Sequence, residues 1–199
     1  MGENLELTAD SSLVERASSG DSDAFESLVA KYQDRVYSIA LRMMRRPEEA
    51  EDVTQETFLK VYRSLPAFSG RSAFYTWIFR IAVNASLSRL RSLGRRRDHE
   101  VTAQIGSRSD DDDNTAVLDP PSREAGPMEA AEKADSSIQV QRAVDSLGDE
   151  DRAVVVLRDF EGLSYDEIAE TVGSTRAAVK SRLHRARMEL AKKLKDLLK

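Results

Sequence analysis

The stretch LSYDEIAETVGSTRAAVKSRLHRAR, residues Leu163–Arg187, carries the clearest structural signal in this chain of 199 residues. Ser164 is followed three positions later by Glu167, the spacing of a capping box at a helix start. Gly173 then supplies a residue that accepts the left-handed conformation of a turn. A short capped helix, a glycine turn and a longer basic helix predict a helix-turn-helix.

The longer helix is predicted to begin after Ser174 or Thr175, either of which can cap it. Its apolar residues recur every three or four positions and form one stripe: Val179, Leu183, Ala186, Leu190, Leu194 and Leu197. Basic and polar residues occupy another face, and the early ones can enter a DNA major groove: Arg176, Lys180, Ser181, His184, Arg185 and Arg187. A basic face alone is usually just solvated, so the capped helix and turn before it favour DNA binding. Many kinds of regulator share this motif.

Composition excludes several classes of protein. The chain has no cysteine, which excludes disulfides, thiolate metal sites and cysteine nucleophiles, and it has only two histidines. Residues Met1–Leu13 lack the basic start and apolar run of a signal peptide. No apolar run approaches the roughly 20 residues that cross a bilayer. We therefore expect a cytoplasmic protein with no direct membrane insertion, no cofactor and no metal site.

Charge is segregated along the chain although the net charge is −5. Acidic residues collect in Glu48–Glu56 and Asp110–Asp113. Basic residues collect in two groups: Arg89, Arg91, Arg95, Arg96 and Arg97, and then Arg176, Lys180, Arg182, Arg185, Arg187, Lys192, Lys193 and Lys195. This pattern is typical of a protein that meets nucleic acid with some faces and a basic protein surface with another.

The N-terminal part, residues 11–94, has apolar residues at helical spacing and predicts a small helical domain. A short helix is predicted to open at Leu13 and Val14 and to end at Gly20. The next is capped by Asp21 or Ser22 and has a buried stripe as far as Met43. A third helix starts at Pro47 and stops at Pro66, and a fourth is capped by Ser72 and runs to about Leu93, where Gly94 ends it.

Residues 95–136 change in character, with the acidic run Asp110–Asp113 and several prolines, and they predict a flexible acidic linker. Consecutive acids in such a segment cannot preset the octahedral geometry of a divalent-metal site. The helical pattern returns over residues 137–199. The predicted fold class is therefore all-α, with two small helical domains joined by the linker.

The helix over Ala50–Arg63 has an unusual polar side, formed by Glu51, Asp52, Gln55 and Glu56 opposite its apolar residues. An acidic and amide stripe of this kind can meet an arginine-rich partner helix. Taken alone, such a stripe is more often a solvated helix face.

Three segments together resemble the extracytoplasmic-function (ECF) sigma factors of the sigma-70 family, in particular their envelope-stress branch. AEDVTQETFLKVYR, Ala50–Arg63, resembles region 2.2; FSGRSAFYTWIFRIAVNASLSRLR, Phe68–Arg91, resembles regions 2.3 and 2.4; Leu163–Arg187 resembles region 4.2. The three occur in the family's order and cover nearly the whole chain except the linker. The resemblance implies a sigma factor, not an enzyme, that binds core RNA polymerase, directs it to promoters through the −35 and −10 elements, and promotes DNA melting. It also implies an anti-sigma partner, often membrane-anchored, and no small-molecule substrate.

The resemblance assigns candidate residues to three surfaces. Core-polymerase binding falls to Glu51, Asp52, Gln55, Glu56 and Phe58. A pocket for a flipped −10 base falls to Phe68, Ile81 and Asn84, in which apolar side chains sandwich the base and an amide reads its edge. Reading of the −35 duplex falls to Lys180, Ser181, His184 and Arg185, with Arg176 near a phosphate; at His184 relatives often carry an aromatic residue.

Other residues between Phe68 and Arg91 are assigned by chemistry. Tyr75 and Phe79 are predicted to be exposed and to stack on melted −10 DNA, while Arg80, Arg89 and Arg91 can hold its phosphates. For Phe74, Trp77 and Ile78 we favour core packing over stacking.

The role of the linker stays open, and so do two other functions of the whole chain. The linker is either a mimic of nucleic-acid charge inside the polymerase or a plain solvated tether. A stand-alone helix-turn-helix regulator would bind DNA without polymerase and would leave the Ala50–Arg63 pattern unexplained. An acidic-cluster nuclease is a weaker reading, because no pair of acids is placed with a base and an electrophile.

Overall fold

The computed structural model describes residues 2–103 and 139–197, and all the regular structure in these two ranges is helical. The N-terminal half contains α1 (Gly2–Ser18), α2 (Ser22–Met44), α3 (Pro47–Ser64), a 3-10 turn (Leu65–Ala67) and α4 (Phe74–Ala103). The C-terminal half contains α5 (helical from 139 to 145), α6 (Asp149–Val155) with a π-helical extension (Val156–Phe160), α7 (Tyr165–Val172) and α8 (Arg176–Leu197). The all-α prediction is confirmed.

Helix α2 begins where a side chain satisfies its free backbone donors. The carboxylate of Asp21 accepts a hydrogen bond from the backbone N–H of Ala24 at 3.1 Å, so Asp21 rather than Ser22 is the cap. This hydrogen bond, helped by Arg16, lowers the pKa of Asp21. The buried side of α2 follows the predicted period: Ala24, Leu28, Tyr32, Val36, Ile39, Ala40, Met43 and Met44.

Helix α3 confirms the predicted start and stop. Pro47 occupies the first turn, where its missing N–H leaves no hydrogen bond unmade, and Glu48 and Glu49 lie near the positive helix end. Pro66 lies in the 3-10 turn that follows the helix. The buried side of α3 consists of Ala50, Val53, Thr57 and Val61, which leaves the acidic stripe on the opposite side.

Three predicted boundaries are wrong. Helix α1 begins at Gly2, well before Leu13. Helix α4 begins at Phe74, two residues after the predicted cap Ser72, and continues through Gly94 to Ala103. The φ of Gly94 is not positive, so this residue stays helical instead of forming a cap. A glycine inside a helix costs only about 1 kcal/mol, which does not end a helix that is otherwise favourable. The rest of the predicted linker, including Asp110–Asp113, lies outside the described residues.

The helix-turn-helix forms as predicted. Ser164 accepts a hydrogen bond from the backbone N–H of Glu167, whose carboxylate accepts one from the N–H of Ser164, which completes the capping box of α7. Gly173 ends α7 with a φ of 64°, in the left-handed region. The hydroxyl of Thr175 then accepts from the N–H of Ala178 at 3.2 Å and caps α8.

The two halves share one hydrophobic core in this structure. Buried residues from α2 and α4, such as Leu28, Val36 and Ile78, belong to the same cluster as Leu157 and Ile168 of the C-terminal half. A smaller second cluster lies between α2, α3 and α4: Ala40, Met44, Ala50, Val53 and Ala85. The C-terminal half therefore packs directly against the N-terminal helices.

A buried arginine joins the halves. The side chain of Arg152 in α6 is fully buried and donates hydrogen bonds to the carbonyl oxygens of Met43 (2.8 Å), Leu147 (2.8 Å), Asp145 (3.0 Å) and Val144 (3.4 Å). Burial, with repulsion from Arg45, lowers the pKa of Arg152. An arginine nevertheless stays protonated in proteins, so its charge is held by the carbonyl dipoles together with the carboxylate of Asp149, 3.5 Å from Nη1.

We predict that Arg152→Met lowers the free energy of unfolding by about 3 kcal/mol or more, because it leaves several buried carbonyls without a donor. Urea titration followed by circular dichroism measures the change. The control is Arg142→Met, which removes the same group from an exposed position one element earlier. Equal, small losses for the two variants would contradict a structural role for the buried guanidinium.

Candidate polymerase and promoter surfaces

The exposed side of α3 gathers the predicted polymerase-binding residues. Glu51, Asp52, Gln55 and Glu56 are all exposed. Asp52 accepts a hydrogen bond from Nη2 of Arg89 at 3.1 Å, and Glu56 pairs with Lys60 one turn later at 2.6 Å. Such exposed pairs are weak, each worth about 0–1 kcal/mol, so the carboxylates can exchange these partners for others.

Leu59 lies among these polar residues, and it was not assigned to polymerase binding from the sequence. It follows Gln55 by four positions and Glu56 by three, so it neighbours both on the helix surface, and it is 56% exposed. The sequence does contain an indication of this role, because Leu59 is an apolar residue at a position that the helical period places on the polar side of α3. Phe58, by contrast, is partly buried and packs against the hydrophobic core, away from the acidic stripe.

A cavity of about 390 Å³ opens between α3 and α4. Its lining combines two cations, two hydroxyls, an amide and a branched apolar side chain: Lys60, Arg63, Ser64, Ile81, Asn84 and Ser88. Cations suit phosphates, the amide can read a base edge, and the apolar side chain can contact a base face. Ile81 and Asn84 were predicted to bind a −10 base, whereas the four residues that supply the cations and hydroxyls were not assigned to this pocket.

Phe68 does not join Ile81 and Asn84 in the lining of this cavity. Its ring packs against Trp77, with ring centroids 4.8 Å apart, and against Phe74 at 6.0 Å. The predicted three-residue pocket is therefore only partly assembled. Phe74 and Ile78 are buried as predicted, and Trp77 is half-buried.

The predicted exposure of Phe79 is wrong. Its side chain is fully buried, with ring centroids 6.4 Å from Tyr32 and 6.2 Å from Tyr75, and the guanidinium of Arg35 lies 4.7 Å from its ring centre. This side of α4 faces α2, so Phe79 cannot stack on DNA without a rearrangement of the core.

Tyr75 and Arg80 contact the C-terminal half. The hydroxyl of Tyr75 donates to Oε1 of Glu167 at 2.5 Å, and the hydroxyl of Thr76 donates to the same oxygen at 3.2 Å. Arg80 donates to Glu170 one turn later at 2.7 Å. Burial pushes the pKa of Glu167 upward, but the hydrogen bonds from Tyr75, Ser164 and Thr76 outweigh burial and leave this pKa below its usual value.

A second set of contacts joins α2 to the C-terminal half. Nε of Arg35 donates to Oε2 of Glu161 at 3.0 Å, and burial raises the pKa of Glu161 against the opposing effects of Arg35 and Arg42. The guanidinium of Arg42 lies 3.9 Å from the ring centre of Phe160 and donates to Gln141 at 3.2 Å. None of these five residues was predicted to have a function.

The remaining predicted phosphate ligands, Arg89 and Arg91, differ in whether an acidic side chain already pairs with them. Arg89 is held by Glu49 (2.5 Å) and Asp52, and its hydrogen bond with Glu49 raises its pKa. Arg91 is exposed and its Nε donates to the carbonyl of Leu87 in the same helix. Arg89 therefore links α4 to the acidic stripe, while Arg91 presents its charge to solvent.

Helix α8 presents the predicted DNA-reading residues to solvent. Arg176, Lys180, Ser181, His184 and Arg185 are all exposed. Two arginines beside them fix the helix to the rest of the half: Arg182 pairs with Glu150 and Asp151, and Arg187 pairs with Asp159. The exposed set therefore lies on a helix that is held in place by packing on one side and ion pairs beside it.

Over residues 2–103 and 139–197, no helix combines the length and apolar character needed to cross a bilayer. In the same part of the chain, no three acidic or histidine side chains are grouped as metal ligands would be.

Two family models match the chain. The model of Sigma-70 region 2 matches residues 28–96, which cover most of α2, α3 and most of α4. The model of Sigma-70 region 4 matches residues 137–190, which include the helix-turn-helix.

Individual proteins are similar over nearly the whole length. The RNA polymerase sigma-H factor of Pseudomonas aeruginosa is 38% identical over 191 residues, 96% of each chain. The ECF RNA polymerase sigma-E factor of Escherichia coli K12 is 36% identical over 194 residues, 98% of each chain. The solved structure of CnrH, in complex with the cytosolic domain of CnrY, is 26% identical with a TM-score of 0.66, covering 94% of this chain and 98% of CnrH. The chain therefore belongs to the ECF sigma factors of the sigma-70 family, the non-enzymatic subunits that bind core RNA polymerase and direct it to promoters for transcription initiation.

Proposed function

We propose a division of this sigma activity among three surfaces. The acidic side of α3 docks on core polymerase, the cavity between α3 and α4 takes the melted −10 strand, and α8 reads the −35 duplex. The main support for the proposal is the exposed side of α3. There Leu59 lies among exposed carboxylates and an amide, while the opposite side of the helix is buried.

Together, the docking surface comprises Glu51, Asp52, Gln55, Glu56 and Leu59. Its carboxylates suit an arginine-rich helix of the polymerase, as the resemblance to region 2.2 implies. Leu59 supplies an apolar anchor that loses water on binding, surrounded by polar groups that exclude solvent, which is the arrangement of many binding hot spots. Phe58 contributes by packing beneath the surface.

The cavity between α3 and α4 suits an unstacked nucleotide. Asn84 and Ile81 can read and contact the base, and Lys60 with Arg63 can hold the adjoining phosphates. Binding a flipped base in this way offsets the unpairing cost of a few kcal/mol. Arg91, exposed farther along α4, extends the cationic path.

The −35 reader is the exposed face of α8. Lys180, Ser181, His184 and Arg185 face the base edges in the major groove, and Arg176 holds a phosphate near the start of the helix. A histidine at position 184 can both donate and accept, so its base preference differs from that of an aromatic residue.

We further propose that the two helical halves, predicted from the sequence as residues 11–94 and 137–199, act as two readers joined by a linker that begins after the end of α4 at Ala103. Two weak readers on one tether gain effective concentration once either is bound. The net charge of −5 disfavours DNA binding by the free chain, which suits a factor that acts when polymerase holds it.

We also propose that an anti-sigma protein binds this factor in the cytoplasm. The support is the solved complex of its relative CnrH with the cytosolic domain of CnrY. Holding the factor at a membrane would follow from a membrane anchor on that partner.

We expect Asp52→Lys to weaken core binding by about 2 kcal/mol or more, more than tenfold in Kd, because it places a cation against a basic partner. Leu59→Ala should cost about 1–2 kcal/mol by removing the apolar anchor. Fluorescence anisotropy with labelled full-length protein and purified core polymerase measures both losses.

Matched controls separate these effects from general ones. Asp34→Lys makes the same charge change at an exposed position of α2, and Met188→Ala removes an exposed apolar side chain from α8. Core binding that is equal in Asp52→Lys and Asp34→Lys would refute this docking surface.

A second prediction concerns sequence reading. In transcription by the holoenzyme from a library with randomised −35 and −10 elements, Asn84→Ala should relax one −10 position and Arg185→Ala one −35 position, each by about 1–3 kcal/mol of discrimination. Sequencing the transcribed templates gives the preference at each position.

Lys60→Ala serves as the contrast in the same library, because a phosphate ligand should weaken transcription about equally for all sequences. A uniform loss for Asn84→Ala would instead make Asn84 a backbone contact, and unchanged preferences for Arg185→Ala would remove it from the −35 reader.

A further inference from the structure

Arg89 of α4 lies beside the docking surface and bridges two carboxylates of α3. Its Nε donates to Oε2 of Glu49 at 2.5 Å, and its Nη2 donates to Oδ2 of Asp52 at 3.1 Å. Glu49, Asp52 and Glu56 follow each other at three and four positions, so they share one edge of α3. The hydrogen bond to Glu49 and the attraction of all three carboxylates outweigh burial and raise the pKa of Arg89.

The two carboxylates hold Arg89 unequally. The side chain of Glu49 is 17% exposed, whereas that of Asp52 is 62% exposed. Water and salt screen the more exposed pair, so Glu49 fixes the guanidinium and Asp52 adds little to the stability of the fold. The position of Arg89 is therefore set whether or not Asp52 has a further partner.

Asp52 keeps one carboxylate oxygen for a binding partner. In the part of the chain that the structure describes, its side chain accepts one hydrogen bond, the one from Arg89 to Oδ2. An ionised carboxylate has about four acceptor sites on its two oxygens. A guanidinium from another protein can therefore bind at Oδ1 without displacing Arg89, and it meets a side chain that is already held in one orientation.

We propose that Arg89 is a positioning residue for core-polymerase binding, which orients the Asp52 carboxylate toward a guanidinium of the polymerase. This inference rests on the docking surface proposed above. A side chain that is held before binding loses less rotamer entropy at an interface than a free one. Arg89 acts through Asp52 and needs no contact with the polymerase itself, and we assign it this role in place of the −10 phosphate contact predicted from the sequence.

The test measures the affinity of the full-length chain for purified core polymerase, by the anisotropy of a fluorescent label on the chain. Arg89→Ala is expected to weaken core binding by about two- to tenfold, the factor that corresponds to immobilising one side chain. Long-range attraction alone predicts the opposite, because loss of a cation makes the chain more acidic toward a basic partner. Tighter or unchanged binding by Arg89→Ala would overturn the positioning role.

A double-mutant cycle separates positioning from a general loss of stability. An Asp52→Ala background has no carboxylate to position, so adding Arg89→Ala should weaken core binding no further. The same loss in both backgrounds would point to a structural role and would also overturn the inference. As a charge control, Arg95→Ala removes a cation from an exposed position of α4 and should bind core at least as tightly as the wild type.

The same variants distinguish failure of this inference from failure of the docking surface. If Asp52→Ala weakens core binding while Arg89→Ala does not, the docking surface stands and the positioning role is wrong. If Asp52→Ala binds core as tightly as the wild type, the docking surface and the positioning role both fall.

Discussion

The buried guanidinium of Arg152 is the constraint on which the arrangement of the two halves depends. Removing such a cation from water costs several kcal/mol unless its donors are satisfied. Here the donors reach carbonyls around the turn between α5 and α6 and the carbonyl of Met43 near the end of α2. The C-terminal half is thereby fixed against α2, and α7 is brought over the start of α4.

This arrangement leaves some of the candidate surfaces open and covers others. The proposed docking surface on α3 and the predicted −35 residues on α8 face solvent, whereas Tyr75 and Arg80 meet Glu167 and Glu170. Two of the residues predicted to meet the −10 strand are therefore in contact with the C-terminal half in this structure.

The features that could be predicted from sequence are those fixed by neighbours within a few residues. The Ser164–Glu167 capping box, the turn at Gly173 and the proline start of α3 all depend on local hydrogen bonds or backbone geometry, and all form. The exposed acidic side of α3 follows equally from helical period. The predicted helix end at Gly94 was wrong, because the modest cost of a glycine inside a helix was taken as sufficient to end it.

The features that could not be predicted depend on which element covers a given face. Periodicity placed Tyr75 and Phe79 on one side of α4, but only the packing of α2 buries Phe79. Glu167 was recognised as a cap, whereas its bonds to Tyr75 and Thr76 join residues about 90 positions apart. Phe68 likewise joins Trp77 rather than the cavity of Asn84, since aromatic contacts outside helices carry no periodic signal.

The most direct measurement of the central claim is the distance between the two halves with and without the Arg152 guanidinium. The chain has no cysteine, so cysteines placed at the exposed positions Ser27 and Lys192 can carry a donor and an acceptor dye. Halves packed around Arg152 predict efficient energy transfer in the otherwise unchanged chain and a clear fall in Arg152→Met, under conditions where circular dichroism shows the helices intact. Inefficient transfer in the first chain, or a value that Arg152→Met leaves unchanged, would contradict the packing.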